Sequence, residues 1–387
     1  MSETISDGQT EQIALLRDSA SRFARENADH KRFRALREQP PGYHPPLLGE
    51  IAELGWLGIV VPERYGGLGL GFQEMAVVLE ELGRGLIAEP LGASAVLATR
   101  ALLHGDNEAL KQRLLPDAVG GTGLLALAWS EVPGSLDPGE ITTAAAPTGD
   151  GVTLNGRKRF VAGAGGAAGF LVTARNSAGV AVYWVPRAAP GLSIDYEWRA
   201  DGTPSGVLTL ADVAVPAADV AASAAVACEA VARAVDEAAV MAAAEAYGVM
   251  DAALEMTLAY MRTRVQYDKP IGSFQALQHM AVDIYMEKEI AGSVIAEAVR
   301  ALDGSLGADE RTRITCRAKS RASDTALRVC RQAIQLHGAI GYTDEYDIGL
   351  YLKRALVLSA WLGNAAQQRR RYAASAFAVG GDGSALL

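Results

Sequence analysis

Residues 155–174, NGRKRFVAGAGGAAGFLVTA, decide between two predicted fold classes. Within it, Gly163–Ala168 matches G-x-G-x-x-A, the pattern of the glycine loop that binds a dinucleotide pyrophosphate. That loop needs a helix directly after it, because the helix N-terminus faces the phosphates. Here the β-prone run Gly169–Ala174 follows, and no β-α-β unit surrounds it. The stretch therefore predicts a loop between two antiparallel strands and excludes a Rossmann domain.

Residues 119–220 around this stretch predict a middle β-domain. Short runs rich in Val, Leu, Phe and Trp alternate there with Gly and Pro. Asn155-Gly156 is a strong hairpin signal and predicts a two-residue turn at that point. The zone is expected to form an antiparallel sheet or barrel.

The flanking zones, 1–118 and 221–387, are predicted to be helical. Apolar residues recur in both at helical spacing, and Gly338 is expected to end one long helix. One apolar stripe comprises Phe274, Leu277, Met280, Ala281, Ile284 and Tyr285. Four long helices with short connections predict a C-terminal four-helix bundle. The predicted class is α+β, with an N-terminal helical domain, a middle β-domain and a C-terminal bundle.

Composition excludes several function classes. The net charge of -9 and pI near 5.2 argue against a nucleic-acid binder, which usually has a basic face. Cys228, Cys316 and Cys330 are scattered, so neither a disulfide framework nor a metal site is predicted. The N-terminus is polar and acidic, and no run reaches about 18 apolar residues. A cytoplasmic protein that does not span a membrane is expected.

Five short motifs occur in order along the chain. They are VPERYGGLG (61–69), AWSE (128–131), NGRKRFV (155–161), RVQYDKPIGSFQ (264–275) and QLHGAIGY (335–342). Together they resemble the signatures of the acyl-CoA dehydrogenase family. Residues 345–364 look most like the small subunit of pimeloyl-CoA dehydrogenases. The resemblance implies the same three-part fold, an acyl-CoA substrate, FAD as cofactor, and an electron-transferring flavoprotein as electron acceptor.

The resemblance also implies which residues bind FAD. The adenosine-pyrophosphate arm would be bound, across a subunit boundary, by Arg264, Gln266, Tyr267, Gln275, Gln335, Gly338 and Ala339. A guanidinium suits a pyrophosphate because its donors have a fixed geometry. On the isoalloxazine side the resemblance implies Ser130, Phe160 and Ala162, which replace the family's usual Thr, Trp and Thr. Phe160 could equally belong to the β-domain core, and a backbone N–H could serve where Ala162 lacks a hydroxyl.

The family's catalytic glutamate comes from one of two positions, and both are changed. Counting from Gln335 places Leu362 at the first, and counting back from Arg264 places Ala238 at the second. Ala239 likewise replaces the arginine that contacts CoA in the family. Neither leucine nor alanine can accept the α-proton, and a general base is typically worth about 10²–10⁴ in rate.

Two carboxylates remain close in sequence to Ala238. Glu237 is adjacent but rotated about 100° around the helix, whereas Glu245 lies two turns along on nearly the same face. Beside a flavin and an apolar tunnel, such a carboxyl would have a raised pKa, as a base requires. The simpler alternative makes Glu237 a solvated helix residue and pairs Glu245 with a charge in the bundle.

Three functional hypotheses remain open. The first is a heteromeric acyl-CoA dehydrogenase, α2β2, whose homologous partner supplies the glutamate. The second is a self-sufficient flavoenzyme that uses Glu245 or Glu237, with a homo-oligomer as the alternative assembly, or a flavin monooxygenase or desulfinase on the same fold. The third is a structural subunit without chemistry.

Overall fold

The structure is a computed structural model, and it describes residues 7–378. The described residues fall into two compact units. The helical unit comprises Phe72–Ile87 with the described parts of Met1–Phe33 and Ala239–Leu387. The mixed unit comprises Arg34–Gly71 and Ala88–Ala238.

The α-helices are, in chain order, α1 (Asp7–Asn27), α2 (His30–Ala35), α3 (Pro45–Glu53), α4 (Phe72–Arg84), α5 (Thr99–His104), α6 (Glu108–Val119), α7 (Ala227–Thr263), α8 (Gln275–Leu302), α9 (Ala308–His337), α10 (Ile348–Ala360) and α11 (Ala365–Ala378). A π-helix, Leu91–Ala98, leads into α5. The strands are β1 (Leu125–Ala128), β2 (Ala144–Pro147), β3 (Gly151–Ala162), β4 (Gly169–Asn176), β5 (Gly179–Pro186), β6 (Leu192–Trp198), β7 (Pro204–Pro216), β8 (Val220–Ala222), β9 (Val265–Gln266) and β10 (Lys269–Pro270).

The mixed unit is built on an eight-stranded sheet with the order β6-β7-β3-β2-β4-β5-β8, in which β1 pairs with β4. Most neighbours are antiparallel, while β1 and β2 each run parallel to β4. Apolar side chains such as Leu154, Phe170 and Leu208 are fully buried in the sheet core. The predicted α+β class, with a β-domain between helical regions, is confirmed.

Two local predictions in this sheet are corrected. Asn155 and Gly156 do not form a turn, because both lie inside β3, where the register with β7 shifts. Asn155 instead exchanges two 2.9 Å hydrogen bonds with Asp212. A Cβ on Gly156 would lie 2.5 Å from Thr143 Oγ1, so close packing accounts for this glycine. Residues 163–168 do connect β3 to β4, but β2 lies between these strands in the sheet.

The C-terminal part of the helical unit contains α8, α9 and the part of α7 from Ala239 onward. Helix α9 begins with acidic residues in its first turn and ends, as predicted, at Gly338, whose φ is 67°. The expected fourth helix is divided into α10 and α11 by residues 361–364. None of the described helices combines the length and apolarity needed to cross a membrane.

Candidate functional site

The ring of Phe160 lies outside the core of the β-sheet. The residue sits where β3 shifts register against β7, between Lys158 and Val161, and its φ is 59°. Its side chain is 37% exposed, and the Arg159 guanidinium lies 4.8 Å from the ring centroid. The interpretation of Phe160 as a core residue is therefore wrong. The bulge presents an aromatic face at the surface of the mixed unit.

Ser130 lies next to this face, just after β1. The Arg159 N–H donates to the Ser130 carbonyl at 2.9 Å, which connects Ser130 to the bulge of β3. The Ser130 hydroxyl makes only a long, 3.5 Å contact with the Val132 carbonyl, so it can still donate elsewhere. Ala162 is buried at the end of β3 and contributes no side-chain donor.

Arg264, Gln266 and Tyr267 lie on an exposed hairpin that follows α7. Strands β9 and β10 are joined through Tyr267 and Asp268, whose φ angles are 53° and 62°. Non-glycine residues seldom adopt this left-handed conformation, and such outliers often mark functional segments. Tyr267 is 88% exposed, and the exposed Arg264 guanidinium makes no ion pair with a described residue. The hairpin thus presents a cation and an aromatic ring at the surface.

The end of α9 lies beside this hairpin. His337 stacks on Tyr260 in the last turn of α7, with ring centroids 4.5 Å apart. Gln335, Gly338 and Ala339 are exposed there. A Cβ on Gly338 would meet nothing within 4 Å, so its backbone can be approached closely.

Gln275 is exposed at the start of α8. The Ile271 N–H, four residues earlier, donates to the Arg264 carbonyl at 2.8 Å. The stacking of His337 on Tyr260 places the segment 335–339 beside the end of α7, from which the segment 264–275 continues.

Glu237 is almost fully buried and is bound by three basic side chains. Arg100 donates to it from Nε (2.7 Å) and Nη2 (3.0 Å), Arg233 donates at 3.1 Å, and His104 Nε2 lies 3.0 Å away. Burial alone would raise the pKa of this carboxyl, but the contacts of Arg100 and His104 lower the pKa of Glu237 to about 2. Burial lowers the pKa of His104 and favours its neutral form.

The expected raised pKa is therefore wrong for Glu237. At 2% exposure Glu237 is not a solvated residue either. A carboxylate stabilised in its charged form by two guanidinium groups is a weak proton acceptor. The structure identifies Glu237 as the centre of a buried ion cluster.

Replacing Glu237 with glutamine is expected to lower the free energy of unfolding by about 3–5 kcal/mol at neutral pH, because the largely buried Arg100 guanidinium, 16% exposed, loses its counter-ion. Since the folded-state pKa is depressed, the contribution of this carboxylate is present above its usual pKa of 4.5 and is lost as the pH falls toward 2. Urea unfolding of both proteins at neutral and acidic pH measures the difference, which should shrink below pH 4.5. Glu11→Gln, on the exposed face of α1, is the control and should match the wild type. Equal midpoints for Glu237→Gln and wild type at neutral pH would contradict the assignment.

Glu245 is also buried and pairs with an arginine of the same unit. Arg354 of α10 donates to Glu245 Oε1 from Nε at 2.7 Å and also from Nη2. The prediction that Glu245 pairs with a charge in the bundle is confirmed. The backbone of α7 at this residue packs closely on α4, since a Cβ on Gly83 would lie 2.4 Å from the Glu245 carbonyl oxygen.

Leu362 occupies a fixed loop between α10 and α11. Its φ is 56°, its side chain is 6% exposed, and Gly363 follows with a φ of 92°. Gln368 Nε2 donates to the Leu362 carbonyl at 2.7 Å. Leucine is unfavourable in this left-handed region, so the surroundings must hold it there.

Lys319 of α9 supplies most of this restraint. Its ammonium, 1% exposed, donates to the carbonyls of Leu358 (2.8 Å) and Gly363 (3.1 Å) and to Ser323 Oγ (3.0 Å). The bonds to the carbonyls of Leu358 and Gly363 tie the end of α10 and the loop to α9, whereas the bond to Ser323 lies within α9. Burial lowers the pKa of Lys319 to about 7.

Because of Lys319, the free energy of unfolding is expected to rise with pH between about 7, the pKa of this lysine in the folded chain, and 10.5, its usual pKa. In that window the unfolded chain binds a proton that the folded chain has released. The slope for one group is at most about 1.4 kcal/mol per pH unit. Lys319→Met should flatten this part of the profile, measured by urea unfolding across the window, whereas Arg370→Met, on the exposed face of α11, should not. An unchanged slope in Lys319→Met would show that Lys319 does not titrate there.

The exposed residues fit FAD by the chemistry of their donors. Arg264 offers a guanidinium for a pyrophosphate, Gln335 offers an amide, and Gly338 leaves its backbone open. Phe160 offers a flat apolar face and Ser130 a free hydroxyl.

Comparison with known proteins decides the family. Family models for the acyl-CoA dehydrogenase N-terminal, middle and C-terminal domains match residues 10–122, 126–213 and 228–377, respectively. The chain belongs to the acyl-CoA dehydrogenase family. Enzymes of this family are oxidoreductases that generally bind FAD.

Several acyl-CoA dehydrogenase relatives resemble the whole chain. Probable acyl-CoA dehydrogenase YngJ of Bacillus subtilis (strain 168) is 31% identical over 92% of this chain and 94% of its own length. A variant of the Tcur3481-Tcur3483 steroid ACAD has a TM-score of 0.84 and 32% identity, covering 96% of this chain and 99% of its own. The ChsE4-ChsE5 complex from Mycobacterium tuberculosis has a TM-score of 0.86 and 27% identity, covering 97% and 99%.

Proposed function

We propose that this chain is one subunit of a heteromeric, FAD-dependent acyl-CoA dehydrogenase whose homologous partner supplies the catalytic base. The enzyme would introduce a double bond between the α and β carbons of an acyl-CoA thioester. One observation carries this proposal: the FAD-arm residues are present and exposed, while Leu362 occupies the loop at which the family's base is expected.

Residues of this chain would bind the cofactor at two places. Arg264 would neutralise the pyrophosphate, with Gln266, Tyr267, Gln275, Gln335, Gly338 and Ala339 around the adenosine arm. Phe160 would pack on the isoalloxazine while Ser130 donates to its pyrimidine edge. Bound FAD supplies the acceptor for the hydride that leaves the β-carbon.

Exposed apolar side chains support a partner subunit at the FAD arm. Eight of the sixteen exposed large apolar residues in the described part of the chain fall between positions 265 and 342. They are Val265, Tyr267, Val282, Tyr285, Met286, Ile290, Ile340 and Tyr342. Exposed apolar side chains are enriched at protein interfaces. Val265 and Tyr267 follow Arg264 on the hairpin, and Ile340 and Tyr342 follow Gln335 along the chain. We therefore infer that Arg264 and Gln335 contact a flavin shared with a neighbouring subunit.

The assignment of the base to the partner follows from the carboxylates. Glu237 is held charged by Arg100 and Arg233, and Glu245 is bound by Arg354. Moving a proton onto either group would break a buried ion pair. This favours a partner that carries the glutamate over the self-sufficient alternative.

The proposed substrate class and assembly rest on similarity to known proteins. A relative described as a steroid ACAD is 32% identical, and residues 345–364 resemble a small subunit of pimeloyl-CoA dehydrogenase. We therefore infer a bulky or ω-functionalised acyl-CoA as substrate, an α2β2 assembly, and an electron-transferring flavoprotein as acceptor.

Activity assays of the lone and the partnered chain test this proposal. The chain is purified alone and after co-expression with a homologous chain that has glutamate at the position of Leu362. Acyl-CoA-dependent dye reduction is expected only for the complex, with the lone chain slower by about 10²–10⁴. The matched control is a complex whose partner glutamate is replaced by glutamine, which should be equally slow. Full activity of the lone chain would contradict the proposal.

A further inference from the structure

Lys158 of β3 is a second fully buried lysine, and it lies two residues from Phe160. Its side chain is 0% exposed. Its ammonium donates to Glu131 Oε1 at 2.7 Å and to Thr173 Oγ1 of β4 at 2.9 Å. A charge enclosed in this way requires a counter-ion, and Glu131 provides it.

Glu131 accepts an unusual number of hydrogen bonds. Besides Lys158, the N–H and the hydroxyl of both Thr142 and Thr143 donate to it at 2.6–3.0 Å. Burial would raise the pKa of Glu131, but the contacts of Lys158, Thr142 and Thr143 outweigh burial and lower the pKa to about 2. The glycine at position 156 is part of this arrangement, since any side chain there would collide with Thr143.

The contacts fix three consecutive residues of the segment that carries Ser130. Thr173 Oγ1 donates to the Trp129 carbonyl at 3.3 Å, the Arg159 N–H donates to the Ser130 carbonyl, and Glu131 is held as described. The last two anchors come from Arg159 and Lys158, the residues directly before Phe160. These contacts therefore connect the segment of Ser130 directly to the segment of Phe160 and contribute to the relative position of the two residues.

A buried ion pair is a poor source of stability, because desolvation offsets most of the attraction. It does impose one geometry, since each charge is tolerated only where the other and its hydrogen bonds meet it. Such an arrangement suits a segment whose position must be maintained.

We propose that Glu131 and Lys158 are positioning residues that hold the Ser130 hydroxyl and the Phe160 ring in register on the flavin. The inference rests on the proposed function, since it assumes that Ser130 and Phe160 contact FAD. Neither Glu131 nor Lys158 needs to touch the flavin.

Three variants test the inference in the assembled protein: Lys158→Met, Glu131→Gln, and both together. Glu131→Gln should be the less stable single variant, because it leaves the buried lysine charge without an anionic partner. Both single variants should bind FAD roughly tenfold or more weakly and should change the visible circular dichroism of the bound flavin. The double variant removes both charges, so its melting temperature should recover, while its FAD dissociation constant and flavin spectrum stay altered.

The double variant separates positioning from stability. If its FAD affinity and flavin spectrum return to wild-type values together with its melting temperature, the inference is overturned. Lys288→Met is the matched control, because Lys288 is a buried lysine paired with Asp251 at 2.6 Å in the helical unit. It should lose stability and keep the flavin spectrum. A wild-type complex that binds no FAD would overturn the proposed function as well, whereas wild-type binding with unaffected variants overturns this inference alone.

Discussion

Replacing Leu362 with glutamate is expected to raise the acyl-CoA-dependent flavin reduction of this subunit by roughly 10²-fold or more. The loop needs no rebuilding, because Lys319 and Gln368 already fix its backbone through the carbonyls of Gly363 and Leu362. A carboxyl at this buried position would be poorly solvated, which raises its pKa toward that of a useful base. The measurement is the anaerobic rate of flavin bleaching after mixing with acyl-CoA.

The control for this gain is Ala360→Glu, which adds the same carboxylate two residues earlier at an exposed position of α10. It should leave the rate at the wild-type level. A Leu362→Glu protein that is folded, carries flavin and shows no increase would refute the view that this loop is a preserved base site. A loss of stability of about 1–3 kcal/mol is expected from burying the new polar group, and urea unfolding distinguishes that loss from a lack of chemistry.

Replacing Arg264 with alanine is expected to weaken FAD binding by about 10- to 100-fold, which corresponds to the roughly 1.5–3 kcal/mol of a hydrogen bond to a charged group. The guanidinium is exposed and makes no ion pair with a described residue, so its removal should leave the melting temperature of the flavin-free protein unchanged. Fluorescence titration with FAD measures the dissociation constant.

Arg262 provides the matched control, since it is an exposed arginine in the last turn of α7, only two residues away. Arg262→Ala should bind FAD like the wild type. Equal losses in both variants would point to general charge attraction, and no loss in Arg264→Ala would remove the central FAD contact from the account.

Local signals predicted the features that depend on neighbours along the chain. The helix end at Gly338 carries its own glycine signal and is confirmed, whereas the FAD contacts assigned to Arg264 and Gln335 stay predictions. The Asn155-Gly156 signal failed for a physical reason: the glycine accommodates Thr143, which lies directly before the neighbouring strand β2, and no local turn rule reports such a contact.

The environment of the carboxylates could not be predicted from the sequence. Glu237 looked like a free helix residue because its principal partner, Arg100, is 137 positions away. Glu245 is likewise bound by Arg354, 109 positions along the chain. Periodicity describes one helix at a time, whereas the charge state of a buried group depends on whichever side chains the tertiary fold brings to it.

The visible absorbance of the purified protein tests the central claim most directly. We predict that the chain, co-purified with its homologous partner, is yellow and releases FAD on denaturation, and that Arg264→Ala lowers this FAD content while Arg262→Ala does not. Colourless protein, both alone and in the complex, that fails to take up added FAD would contradict the account.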